Sequence, residues 1–255
     1  MFIDTHSHYD DEAFDGDRDE LLKSFKKNKI DKVISIGCDI ETSRNAIELS
    51  KKYDFVYASV GFHPNYAHKY DDNAEKILID FAKNNSKVVA WGEIGLDYHY
   101  DEPEKEIQIE NFLRQIEVAN KLGLPVSVHS RDAMGDTLEI VRNHRFKGVF
   151  HCYSGSVETA KELIKMGYYI SFAGTVTFKN ARNLKEVARY VPSDRYLIET
   201  DCPYLSPEPN RGKRNSSLNL IYTAQCLADL RGVSIEAVCE ETTKNAEELF
   251  FKNKE

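Results

Sequence analysis

Residues 104–129 read EKEIQIENFLRQIEVANKLGLPVSVH. Ile109, Phe112, Leu113, Ile116, Ala119 and Leu122 recur at three- and four-residue spacing, so the sequence predicts a helix over 104–122 with one apolar stripe. Gly123 is a stop signal. Pro125 opens a short apolar run, Val126-Ser127-Val128, that ends on His129. A helix burying one stripe and leading directly into a buried strand is a unit of an alternating α/β fold.

The same alternation continues on both sides. Candidate strands lie at 2–6, 32–37, 55–61, 88–93, 125–129, 148–152, 168–173 and 196–200, each followed by a polar or glycine-containing loop and a helical pattern. Eight such units in 255 residues predict one (β/α)8 TIM barrel domain over 1–255. The segments 218–230 and 234–250 then read as a closing helix and a C-terminal helical tail. An open doubly wound sheet is the alternative that pattern alone leaves. The nearest thing to a linker is a loop with two prolines, SPEPNRGKRNSS at 206–217.

Composition narrows the function classes. A formal net charge of −8 argues against a protein that coats polyanions, whose footprint would be basic. It leaves room for an enzyme that grips a nucleic-acid end locally with the help of bound cations. Five cysteines without a CxxC pair suit a reducing compartment. The opening MFIDTHSHYDDEAFDGD has neither a basic region nor an apolar core, and no window approaches a membrane span. The expectation is a soluble, cytoplasmic protein with no membrane association and no obligate protein partner.

Ionisable groups recur where the predicted strands end, which is rare unless they are paired or hold a metal. The first strand runs into Asp4-Thr5-His6-Ser7-His8, and alternation places His6 and His8 on one side. The fourth ends on Glu93, the fifth on His129, the sixth on His151, and the eighth runs Glu199-Thr200-Asp201. In a barrel all six groups surround one mouth, where barrel active sites are built. Closure makes strands one and eight neighbours, so Asp201 can join His6 and His8. Strands four to six bring together Glu93, His129 and His151. Glu93 is the carboxylate placed to bridge two cations. A pair of divalent ions with mixed nitrogen and oxygen ligands is a hydrolytic clamp for esters and phosphodiesters. Imidazole suits zinc, and carboxylate with water suits magnesium or manganese, so Zn²⁺, Mg²⁺ and Mn²⁺ all remain open.

The motifs also resemble a known family. DTHSHYDDEAFDGD (4–17), VGFHP (60–64), GEIGLDY (92–98), VSVHSRDA (126–133), FHCYSG (150–155), AGTVTFKNA (173–181) and ETDCPYLSPEPNRGKRN (199–215) resemble the TatD metal-dependent deoxyribonucleases of the amidohydrolase-like barrels. The segments follow family order over almost the whole chain. The resemblance implies that His6, His8 and Asp201 bind one metal, that Glu93 bridges, and that His129 and His151 bind the other. It implies a nuclease acting on DNA, as a 3′–5′ exonuclease or an endonuclease, with some relatives acting on RNA; the alternative is a hydrolase of non-nucleic or aminoacyl-tRNA esters using the same two-metal site. Departures from the pattern are Tyr9 for Leu, Cys202 for a small residue, and Ser216-Ser217 where Glu-Pro often follows RGKRN. None of them is a ligand.

The expected reaction is in-line attack of cation-activated water on a phosphodiester, with Glu93 and Asp201 as catalytic carboxylates and Asp201 taking the proton. Candidate substrate contacts are His63, Arg131, Arg211 and Lys213, with Arg214 and Lys179 as weaker cases. Each has a plainer reading: a capping histidine at 63, an Arg131–Asp132 pair, and a salt-bridged loop at 211–214. Trp91 and Tyr98 are candidates for base stacking, although Trp91, two residues before Glu93, is expected to pack in the barrel interior. His68, His99 and His144 read as loop or helix-end residues. Cys152 and Cys202 read as small buried hydrophobes turned away from the metals.

Overall fold

The structure is a computed structural model that describes residues 1–252. Eight parallel strands form one sheet in sequential order: β1 (Phe2–Ser7), β2 (Ile30–Ile36), β3 (Val56–Val60), β4 (Val88–Asp97), β5 (Val126–Arg131), β6 (Gly148–Phe150), β7 (Tyr169–Phe172) and β8 (Tyr196–Ile198). The seam between β8 and β1 is closed by the backbone just beyond β8. Asp201 N donates to His6 O at 2.9 Å and His8 N donates to Cys202 O at 2.8 Å. The fold is the expected TIM barrel.

Helices cover the outside. Lys105–Leu122 matches the helix predicted from the apolar stripe and ends on Gly123 in the left-handed conformation (φ 66°). Its buried face includes Phe112, Ile116 and Ala119; burying a side chain such as Phe112 contributes about 2 kcal/mol. The two C-terminal helices are Leu220–Arg231 and Ile235–Ala246, followed by a π-helical turn at Glu247–Phe251. Leu249 and Phe250 pack with Ile3, Ile34, Val89 and Leu197, and Lys32 pairs with Glu247. Ile3 and Val89 lie at the starts of β1 and β4, so the tail covers that end of the barrel and leaves the other as the mouth. No helix is long and apolar enough to cross a membrane among the described residues.

Three expectations change. Strand β4 does not stop at Glu93 but continues to Asp97, and its pairing with β5 shifts register between Trp91 and Ile94. That shift breaks the simple alternation between Trp91 and Glu93. Trp91 is fully buried and its indole N–H donates to Gln115 Oε1 on helix Lys105–Leu122 at 3.1 Å, so it faces the helix layer rather than the barrel interior. Strands β6 and β8 are shorter than predicted, so His151 follows its strand by one residue and Asp201 by three.

Candidate metal centre

The strand ends bring the six expected ligands together. His6 and His8 straddle the end of β1, while Glu93 and His129 lie within β4 and β5. Gly95 makes the approach of these two strands possible: at φ 144°, a Cβ there would stand 2.0 Å from His129 O. Glu93 is the hub. Its Oε1 lies 2.6 Å from His151 Nε2 and 2.7 Å from His129 Nδ1, while its Oε2 lies 3.3 Å from His6 Nε2. Asp201 Oδ1 lies 3.3 Å from His8 Nε2 and 3.7 Å from His6 Nε2. The two oxygens of Glu93 thus face two groups of nitrogens. One group continues to Asp201 and the other ends on His129 and His151.

The charges agree with this geometry. Burial opposes ionisation of Glu93, yet His151, His6 and His63 around it hold its carboxyl well below the usual range. Burial likewise opposes charge on His151, and Glu93 with Glu199 outweighs it, raising that imidazole well above normal. His8 is raised against its burial mainly by Asp201, and His129 by Asp97 and Glu93. His6 goes the other way: burial, then His151, lower it, so it stays a neutral imidazole.

A cation fits here. Among the described residues, His6 Nε2 is buried and makes no hydrogen bond, although Glu93 and Asp201 oxygens face it. A neutral imidazole nitrogen aimed at two carboxylates is a ligand set, and an orphaned buried nitrogen otherwise costs about 1–3 kcal/mol. His6, His8 and Asp201 group closely enough to hold one ion, as do His6, Glu93 and His151.

Two carboxylates that sequence reasoning missed stand behind the histidines. Asp97 Oδ2 lies 3.1 Å from His129 Nε2, the nitrogen turned away from Glu93. Gln108 holds Asp97 through both backbone groups, at 2.8 and 2.9 Å. Glu199 Oε1 lies 3.4 Å from His151 Nδ1 and accepts from Cys152 N at 2.6 Å. Carboxylates in this position fix the tautomer and orientation of a ligating histidine. Asp97 was legible only once β4 was known to reach it. Glu199 stood beside Asp201 in ETDCP but carried no separate signal.

His63 serves in two ways. Its Nδ1 accepts from Asn65 N at 3.2 Å, capping the 3₁₀ turn Pro64–Lys69, and its Nε2 lies 3.7 Å from Glu93 Oε1. Burial pushes its pKa down to about 3, so the ring is neutral and the proton sits on Nε2, facing the cavity. Arg131 does not pair with Asp132, which instead meets His99 at 3.2 Å. It lies over the Tyr100 ring and lines the same cavity of about 750 Å³ as the ligands. Arg211 lies over Phe178 with Glu208 at 3.9 Å, and Arg214 makes a two-pronged pair with Asp17. Lys213 lines a neighbouring cavity with Asp11, Glu12 and Tyr204. The structure therefore brings His63 and Arg131 to the expected ligands, and leaves Arg211 and Lys213 outside the lining of that cavity. Lys179 is exposed beyond the turn Gly174–Thr177.

Tyr98 donates to Asp136 at 2.7 Å and packs under Lys105, so it offers no free ring to the cavity. The tyrosines that do line it are Tyr66, Tyr100 and Tyr204, all exposed; nothing in the sequence separates them from the other 11 of 14. His68, His99 and His144 are exposed, as expected for the helix-end His144. Cys202 is buried, but Cys152 lines a side cavity with His151 and Asp201 rather than turning away. It lies beyond β6 at φ 39°, where strand alternation no longer applies. Burial raises its thiol well above the normal range, leaving no thiolate nucleophile.

Known proteins resemble this chain in sequence and fold. The family model described as TatD related DNase matches residues 3–251. YabD of Bacillus subtilis (strain 168), named an uncharacterized metal-dependent hydrolase, is 42% identical over 257 residues, covering 99% of this chain and 100% of that protein. YcfH of Escherichia coli (strain K12), named likewise, is 38% identical over 258 residues, covering 98% and 96%. The crystal structure of YjjV, a TatD homolog from Escherichia coli K12, superposes with a TM-score of 0.93 at 30% identity, covering 98% of this chain and 97% of that one.

Proposed function

This chain belongs to the TatD family of related DNases and is a metal-dependent hydrolase, and from that premise we propose that it cleaves phosphodiester bonds in DNA as a 3′–5′ exonuclease. The observation that carries the reading is Glu93, whose two oxygens address two separate groups of histidines. Two divalent ions are the proposed cofactors, one held by His6, His8 and Asp201, the other by His129 and His151, with Glu93 between them. Zn²⁺, Mg²⁺ and Mn²⁺ all suit this donor set. When bound, such ions ease the ionisation of water and neutralise charge on a phosphate.

The chain's own groups do the rest. Asp201 is ionised beside His8 and partly open to the cavity, so it can take the proton of the attacking water. The neutral His63 donates its Nε2–H to a phosphate oxygen, and Arg131 supplies a fixed positive charge at the rim. Lys213 and Arg211 are proposed to meet the backbone farther from the scissile bond. Asp10, Asp11, Glu12 and Glu41 line the same mouth. A continuous polyanion is repelled on that side, which favours a strand end entering over a strand passing through. The 3′ polarity follows the family resemblance.

The rival substrate is an ester outside DNA, including aminoacyl-tRNA, because the same site polarises a carbonyl. Purified protein loaded with Mg²⁺, Mn²⁺ or Zn²⁺ should release mononucleotides from the 3′ end of 5′-labelled single- or double-stranded DNA. EDTA and Glu93→Ala should both stop the release. Cleavage of a D-aminoacyl-tRNA alone, with DNA and RNA untouched, would remove the nuclease assignment.

A further inference from the structure

Behind the His6–His8–Asp201 group runs a buried chain of side chains that ends on the loop carrying Arg211 and Lys213. Asp4 Oδ2 accepts from Ser217 Oγ and from Thr200 Oγ1, each at 2.6 Å. Asp4 Oδ1 accepts from Thr200 N at 3.0 Å and from His6 N at 3.3 Å. Tyr9 OH lies 2.7 Å from Ser217 Oγ and accepts from Ser217 N at 2.8 Å. Tyr9, Asp4, Thr200 and Ser217 are all buried.

Counting protons fixes the direction of the chain. Asp4 is the acceptor in all four of its contacts, from two backbone amides and two hydroxyls, so Ser217 gives its one hydroxyl proton to Asp4. Tyr9 must then donate to Ser217 Oγ, giving Tyr9 → Ser217 → Asp4. Asp4 in turn holds the amide of His6 and both donors of Thr200, the neighbour of Asp201. One carboxylate thus orients two ligand-bearing segments, and one serine ties it to the end of the 206–216 loop. We propose that Tyr9 and Ser217 are positioning residues that act through Asp4 on His6 and Asp201, coupling the seating of this loop to cation affinity. The inference rests on His6, His8 and Asp201 being a cation site, but not on which substrate is cleaved.

The test is Mn²⁺ affinity of the full chain, by electron paramagnetic resonance without substrate. Ser217→Ala should weaken binding by about tenfold, the lower end of what loss of an outer-shell partner does. Tyr9→Phe, which removes only the hydroxyl, should weaken it about threefold, on the order of one modest hydrogen bond. The double variant should match Ser217→Ala alone, because Tyr9 acts through Ser217. Tyr196→Phe removes a tyrosine hydroxyl bonded to Glu241 instead, and should leave Mn²⁺ affinity unchanged. Native affinity in folded Ser217→Ala and Tyr9→Phe would overturn the proposal, as would equal losses in Tyr196→Phe. If Ser217→Ala does not fold, Tyr9→Phe decides alone. A native chain that bound no Mn²⁺ would overturn the cation site itself, which is a different failure.

Discussion

His129 turns Nε2 to Asp97 Oδ2 at 3.1 Å, which leaves Nδ1 as the nitrogen that faces Glu93 and the proposed cation site. An imidazole can serve as ligand through either nitrogen, and the far hydrogen bond decides which. Asp97 is buried and clamped by Gln108, so it cannot follow a ring that rotates. Asp97→Asn keeps the shape and removes the charge. We expect about a 10- to 100-fold loss in divalent-ion affinity or turnover, with the fold intact. Titration of Mn²⁺ against circular dichroism of the same sample checks it; undiminished affinity would show that His129 needs no such support.

Glu93 is shared by both ligand groups, so losing it should differ in kind from losing one histidine. Glu93→Gln replaces a carboxylate that meets His6, His129 and His151 with a neutral amide. Turnover should fall by about three orders of magnitude, equivalent to about 4 kcal/mol of transition-state stabilisation. Metal analysis after gel filtration should find less than half of the native ion content, whereas His8→Ala should retain one ion. Full ion content in Glu93→Gln would mean that the carboxylate does not join the two groups.

The histidines also predict how binding depends on pH. Burial opposes their protonation, but carboxylates raise His8, His129 and His151 above the ordinary range. Without a cation they therefore hold protons to a higher pH than free imidazoles, and a metal must displace those protons. Affinity should consequently weaken as pH falls and strengthen as pH rises, until all three rings are neutral. Calorimetry in two buffers of different ionisation enthalpy should show net proton release near neutral pH. Binding that takes up protons, or that is independent of pH, would contradict the charge pattern.

How far the sequence reached follows from how local each signal is. His6 and His8 were legible because alternation acts over two residues, and Asp201 because closing a barrel makes its last strand a neighbour of its first. Asp97 was hidden by the register shift between Trp91 and Ile94, since hydrophobic pattern does not encode a change of pairing. The same shift turned Trp91 towards the helices. Cys152 escaped the alternation rule because β6 ends at Phe150. Tyr9 and Ser217 read as two unrelated departures from a family pattern, yet they stand 2.7 Å apart across 208 positions. Pairings of that range depend on the finished fold.

Gly95 provides a test of the scaffold itself. It pairs with His129 across β4 and β5 at φ 144°, and an added Cβ would stand 2.0 Å from His129 O, with two further backbone atoms at 2.9 and 3.0 Å. Backbone atoms in a parallel sheet cannot rotate aside as a side-chain tip can. Gly95→Ala must therefore either part the two strands or distort the peptide that carries His129. Overpacking of this kind costs about 1–3 kcal/mol, and an unfavourable φ adds to it. We expect a loss of at least about 2 kcal/mol in urea unfolding with EDTA present, at an unchanged denaturant slope. Divalent-ion affinity should fall as well, because His129 moves with its strand, whereas Gly232→Ala, with open space around its Cβ, should leave ion binding intact. A Gly95→Ala protein with native stability and native ion affinity would mean that β4 and β5 do not meet so closely, and the convergence of Glu93 with His129 would lose its structural basis.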